Sequence, residues 1–283
     1  MKTNHFDTLN CEAKLFLILK QSNPSWWKNM INDRELYIDI RKDNYINVYY
    51  YGGAFAKIEY KNKEAVATIH EKYLGNDGIS QKGLENNGRP YKNLDLENLT
   101  PDRMAEIKSN IRKHYIDKGN PEKISETKMK GKLILTNPQY IDSEFQYDKD
   151  PKFKGLRIDL TELCDGKLSF IEIKGVTDKR LLNDETRNKN LPEIINQMHK
   201  YQSFIGKYKN EIKEYYLKLL QLKTELGLFY RNIDFEVNLI PKLLIIDTYQ
   251  YPISKRKAKR IDAIEKLLEQ NNITYEILNY YGL

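Results

Sequence analysis

Apolar and polar positions change their period several times along the chain. Residues 35–74 hold four short alternating runs, ELYIDIR, YINVYYY, AFAKIEY and EAVATIHEKY, parted by Lys42-Asp43-Asn44, Gly52-Gly53 and Lys61-Asn62-Lys63. Runs rich in β-branched and aromatic residues, separated in this way, predict a β meander. Upstream, residues 9–21 read as a short helix with Leu9, Ala13, Phe16 and Leu17 on one side, broken at Asn23-Pro24-Ser25. Trp26 and Trp27 follow, and core anchoring is favoured for them over a base-stacking platform. Tyr45, Tyr49 and Tyr51 would share a strand face near Lys57 and Lys61; a packed sheet face is favoured there over nucleic-acid contact. Residues 75–98 carry Gly75, Gly78, Gly83, Gly88 and Pro90 with few apolar side chains and read as a long irregular loop. Thr100-Pro101-Asp102 then starts a helix that runs to Lys118, with Gly119 as its C-cap. Residues 122–130 show no clear period, and KLILTN (132–137) and IDSEFQYD (141–148) read as strands.

The stretch from Gly155 to Gly175 is the most informative. Two alternating runs flank Asp165-Gly166, a dipeptide suited to a two-residue hairpin because both turn positions need positive φ. In that register Cys164 pairs with Lys167, and Asp159 stands opposite Glu172. Ile158, Leu160, Ile171 and Ile173 point one way, and Arg157, Asp159, Glu172 and Lys174 the other. Two carboxylates roughly 5 Å apart at Cβ repel each other. A divalent cation with oxygen ligands would offset that repulsion. The competing reading is an exposed hairpin on which Arg157 and Lys174 neutralise the acids.

Downstream, residues 177–190 form a polar loop with Lys179, Arg180, Arg187 and Lys189. A helix starting at Leu191-Pro192-Glu193 has the stripe Ile194, Ile195, Met198, Tyr201 and Ile205, with Gln197 and Tyr201 on one face. Gly206 would kink or end it, and a second helix covers about 208–226. The chain finishes as strand (241–247), helix (255–270) and strand (273–278), a β–α–β unit that implies a sheet covered by helices. That helix opens on Lys255, Arg256 and Lys257, cations that oppose the helix dipole and suit a bound phosphate or a solvated surface equally.

Composition narrows the picture. With 283 residues, 31% charged and 40% hydrophobic, the chain is expected to be globular, of α/β class, with a sizeable core. A net charge of +7 suits a polyanionic partner. Cys11 and Cys164 form no metal spacing or disulfide framework, and the four histidines are scattered. No long apolar segment argues for a membrane span, and a cytoplasmic location is expected. There is no phosphate-binding GxxxxGK[ST] loop and no GxGxxG turn.

Asp159, Glu172-Ile173-Lys174, and Gln197 and Tyr201 on the following helix together resemble the PD-(D/E)XK nuclease superfamily. Asp159 matches the acid of the PD element, Glu172-x-Lys174 the (D/E)XK element, and Gln197 to Tyr201 the QxxxY pattern of some branches. Ile158 stands where the family name has proline, which leaves the acid in place. The resemblance covers roughly residues 132–283.

It implies a restriction-endonuclease-like mixed β-sheet core flanked by helices over residues 101–283, preceded by a β-rich region, 1–100, of unassigned role. It further implies a Mg²⁺-dependent nuclease, with Mn²⁺ able to substitute, acting on nucleic acid with DNA favoured and leaving a 5′-phosphate. Asp159, Glu172 and the Ile173 carbonyl would hold the ion, with Glu144 as the candidate third acid and Glu126 and Glu106 as weaker ones. Lys174 would orient the attacking water, and Gln197 and Tyr201 would position substrate or water. Lys179, Arg180, Arg187, Lys255, Arg256 and Lys257 would hold phosphates. A homodimer would suit cleavage of both strands. The competing class is a non-catalytic nucleic-acid-binding or interaction module that keeps a nuclease fold.

Overall fold

The structure, a computed structural model, describes residues 5–75, 90–118, 124–182, 192–229 and 234–282. The chain divides into two compact units, Met1–Pro121 with Glu214–Ile233, and Glu122–Lys213 with Asp234–Leu283. Residues 101–121 and 214–233 therefore group with the N-terminal meander, where the sequence reading draws a single boundary at 100/101.

The first unit contains helices α1 (Lys14–Ser22) and α2 (Ser25–Asn32) and a five-stranded antiparallel sheet. Its strands β1 (Leu36–Arg41), β2 (Tyr45–Tyr50), β3 (Gly53–Lys61), β4 (Glu64–His70) and β5 (Tyr91–Asp95) lie in chain order, so the predicted meander is present. The expected irregular stretch 75–98 yields β5 at its end, and residues 76–89 lie outside the described residues. Asn44, Tyr51, Gly52, Asn62 and Lys63 take positive φ at the hairpin turns, which explains the Gly and Asn that punctuate the pattern.

Trp26 and Trp27 sit on α2 and are buried edge-to-face, 6.1 Å between ring centres, as core anchors. Tyr51 does not share the strand face expected of it: β2 ends at Tyr50, and the β2–β3 register shifts at Val48/Tyr49. Helix α3 (Pro101–Ile111) starts with the Thr100 hydroxyl accepting from the Arg103 N–H, as its sequence predicts, and continues in a π turn over Arg112–Ile116. It packs so closely on β3 that a Cβ at Gly53 would lie 2.5 Å from Ile111.

The second unit contains α4 (Glu126–Thr136), β6 (Tyr140–Tyr147), β7 (Leu156–Cys164), β8 (Lys167–Gly175) and α5 (Glu193–Lys207). The start of α6 (Lys209–Glu225) follows, then β9 (Glu236–Val237), β10 (Lys242–Asp247), α7 (Lys255–Gln270) and β11 (Tyr275–Asn279). The sheet order is β11-β10-β8-β7-β6, with β9 beside β8. Neighbours β6, β7 and β8 are antiparallel, whereas β10 runs parallel to both β8 and β11. A mixed sheet with helices between its parallel strands is what the closing strand–helix–strand pattern predicts. No described helix is long and apolar enough to cross a membrane.

Two helices depart from the sequence reading: α1 starts only at Lys14, which leaves Leu9 and Ala13 outside it, and KLILTN (132–137) is the end of α4, and not a strand. Ser125 caps the helix by accepting from the Lys128 N–H, and Met129, Leu133 and Ile134 recur at helical spacing on its buried side. The β-prone Leu-Ile-Leu run is overridden by this packing.

Candidate active site

The Asp165-Gly166 turn has both residues at positive φ (50° and 69°), and the β7–β8 ladder runs from Cys164↔Lys167 to Leu160↔Ile171 in the expected register. There the paired register stops. Beyond it the Asp159 carboxylate accepts the Ile173 N–H at 3.0 Å, so a side chain takes over a bond that a strand neighbour would otherwise make. Asp159 and Glu172 are not among the paired residues; both line the opening where the strands part, near enough that the charge of Asp159 acts on Glu172.

One cleft gathers Asp159, Glu172, Lys174, Gln197 and Tyr201, together with Glu126, Lys130, Glu144, Arg157 and Arg180. Each side chain has an identifiable support. Glu172 and Lys174 lie on β8 between the paired strands β7 and β10, and are 3% and 1% exposed. Gln197 and Tyr201, one helical turn apart on α5, both reach Glu172. The Gln197 amide donates to Oε1 at 2.8 Å and the Tyr201 hydroxyl lies 2.9 Å from Oε2. The Tyr201 hydroxyl also contacts the Arg157 carbonyl. Lys174 donates to Glu172 and to the Ile173 carbonyl (2.9 Å), and lies 3.6 Å from Glu126.

The electrostatics follow from this crowding. Burial first, and the charge of Asp159 second, push the Glu172 carboxyl up to about 7, against the pull of Lys174 and Tyr201. Burial also raises Glu126, with Lys174 and Arg180 opposing. Burial, then the charge of Glu172, drive the Tyr201 phenol far above its ordinary value, so it stays a neutral hydroxyl. Behind Arg180, burial of Asp178 works against its charge, yet the hydrogen bonds of Arg180 hold it at about 2.

Glu144, the candidate third acid, lines the cleft and is held by Lys130 at 2.7 Å and Arg157 at 2.6 Å. Its φ of 56° is a left-handed value that costs a side-chain-bearing residue about 1–2 kcal/mol. Such outliers recur at functional sites. Glu126 and Lys130 are the residues the sequence reading underrated or missed, because both belong to α4. The signal that could have found them is the Ser125 cap followed by Glu126 and Lys130 four apart on one helix face. At Gly175 a Cβ would meet the Met129 Cε at 3.1 Å, so glycine there lets α4 approach the end of β8.

The expected phosphate-holding residues separate. Arg180 lines the cleft, tied to Asp178 and Glu126. Lys179 is exposed and does not line the cleft. Lys255, Arg256 and Lys257 are exposed at the start of α7, also outside its lining, with Lys257 over the Tyr249 ring. Arg260, deeper in the same run, instead donates to the Val176 and Asp178 carbonyls and braces the loop after β8. Arg187 lies outside the described residues.

No group of three or more His, Cys, Asp and Glu side chains that could hold a metal is found among the described residues. Among the carboxylates that line the cleft, Asp159 and Glu172 lie near enough for the charge of one to act on the other, and the adjoining Ile173 carbonyl accepts from Lys174. Mg²⁺ is ordinarily held by one or two carboxylates, with water and substrate phosphate completing its shell. That donor set, and the Asp159–Glu172 repulsion that a cation would relieve, fit such an ion. No protein-family model, curated protein or solved structure matches the chain.

Proposed function

We propose that the second unit is a Mg²⁺-dependent nuclease of the PD-(D/E)XK kind, with DNA the favoured substrate. The observation that carries this reading is the meeting of Asp159, Glu172 and Lys174 in one cleft, with Gln197 and Tyr201 bonded to Glu172. The helix–three strands–helix–strand order of α4, β6, β7, β8, α5 and β10 supports a restriction-endonuclease-like core.

Asp159, Glu172 and the Ile173 carbonyl would hold Mg²⁺, which when bound lowers the pKa of water and stabilises charge on a phosphoryl oxygen. The chain's own groups do the rest. Lys174, anchored on Glu172 and the Ile173 carbonyl, presents its ammonium to the attacking water and to the charge that develops on phosphate. Gln197 and Tyr201 fix both Glu172 oxygens, which limits its rotamers. Arg157, about half exposed at the cleft wall, and Arg180 offer guanidinium groups to flanking phosphates.

The test is incubation of the full chain with Mg²⁺ or Mn²⁺ on circular and linear, single- and double-stranded DNA and RNA. Metal-dependent cleavage leaving 5′-phosphate ends, absent with chelator, supports the reading. Binding of nucleic acid without cleavage of any substrate would favour the non-catalytic module.

A further inference from the structure

Two of the arrangements of cation and acid in the cleft adjoin Asp159 and Glu172. In one, Lys174 stands among Glu172, Glu126 and the Ile173 carbonyl. In the other, the ammonium of Lys130 lies 2.7 Å from Glu144 and 4.0 Å from Asp159. Lys130 is 8% exposed and comes from α4, whose Met129 lies against Gly175 at the end of β8. Arg157 reaches the same Glu144 oxygen at 2.6 Å. Glu144 thus faces two cations, and its left-handed backbone lies between the Ser143↔Leu160 and Phe145↔Ile158 pairs, at the level of Asp159.

We infer that Lys130 holds the position a second divalent ion would take between Glu144 and Asp159, so that the cleft binds a single ion. This rests on the metal-dependent reading of the cleft and deepens it. Many phosphodiester hydrolases use two ions as a symmetric clamp on the attacking and leaving oxygens. Here a second ion beside Glu144 would meet two cations on one carboxylate, the nearly buried Lys130 ammonium and the Arg157 guanidinium, whereas Asp159 and Glu172 present two carboxylates against Lys174. Asp159 and Glu172 are left for one ion. Glu144 becomes a positioning residue that fixes Lys130, and is not a ligand. The Lys130 charge then also stands ready for substrate phosphate, in place of the second metal.

The experiment counts Mn²⁺ bound to the full chain without nucleic acid, by electron paramagnetic resonance of the free ion. One ion is expected for the wild type, for Lys130→Arg and for Glu144→Gln. Two are expected for Lys130→Met, returning to one in Lys130→Met/Glu144→Gln. Two ions in the wild type, one in Lys130→Met, or loss of the ion in Glu144→Gln overturns the inference while leaving the metal reading intact. No bound ion in the wild type overturns both. Should Lys130→Met fail to fold, Lys130→Gln is counted in its place, with two ions expected and one overturning the inference.

Discussion

Both units bury an acid against cations, and they do so to different ends. In the first unit Asp39 on β1 is fully buried, with Arg41 at 2.8 Å, Lys223 at 3.8 Å and the Tyr37 hydroxyl donating to it. Cations outnumber the acid, and Arg41 in turn donates to the Tyr49 hydroxyl. In the second unit Glu172 is almost as buried, but it faces another carboxylate, opens on a cleft, and has its carboxyl pushed up to about 7. A buried ion pair alone is weak support for anything beyond specificity of packing. Like charges held together at an opening are what distinguish a candidate reactive site from a structural network.

The contrast can be broken by mutation. The largest effect is expected for Asp159→Asn, which keeps an acceptor for the Ile173 N–H and should lower metal-dependent cleavage by about 10²–10³-fold with little change in melting. Asp39→Ala should do the reverse. It leaves Arg41 and Lys223 without their acid, costing about 3–5 kcal/mol in urea unfolding, while Mn²⁺ binding by the folded fraction stays unchanged. Equal loss of cleavage in both variants at a temperature where both are folded would erase the distinction.

The raised Glu172 carboxyl sharpens the comparison through pH. Its folded value of about 7 lies above the ordinary 4.5, so the folded protein retains a proton that the unfolded chain releases. The associated stability is complete below 4.5 and is lost as pH rises through about 7. An ion needs the carboxylate and displaces that proton. The rise in melting temperature on adding Mn²⁺ should therefore be larger at about pH 8 than at about pH 6. A gain independent of pH would contradict the assignment of Glu172 to the ion. A smaller effect is expected for Tyr201→Phe, which removes the contacts to Glu172 and the Arg157 carbonyl. It should cost about 1–2 kcal/mol and lower cleavage about tenfold.

Much of this arrangement was legible in the chain. Asp165-Gly166 sets the hairpin because only residues tolerant of positive φ serve there, and the alternation around it decides which side chains share a face. Gln197 and Tyr201 follow from helical spacing, and the apolar KLLIID run is indeed an interior strand, β10 between β8 and β11. Other features had no local signature. The parting of the strands after Leu160↔Ile171 depends on the Asp159 carboxylate replacing a ladder bond, which no periodicity reveals. α4 was masked by its β-prone Leu-Ile-Leu end, and with it went Glu126 and Lys130. Glu144 takes its left-handed φ between two paired positions of β6, and the sequence offers no glycine or asparagine to announce it.

The hydrolytic reading of the Glu172 cleft turns on Lys174. Single-turnover cleavage of DNA with Mg²⁺ by Lys174→Met, compared with the wild type, tests it most directly, because methionine keeps the length and apolar stem of the buried side chain. Folded protein that still binds nucleic acid and cleaves none is the expected result. Cleavage at the wild-type rate would contradict it.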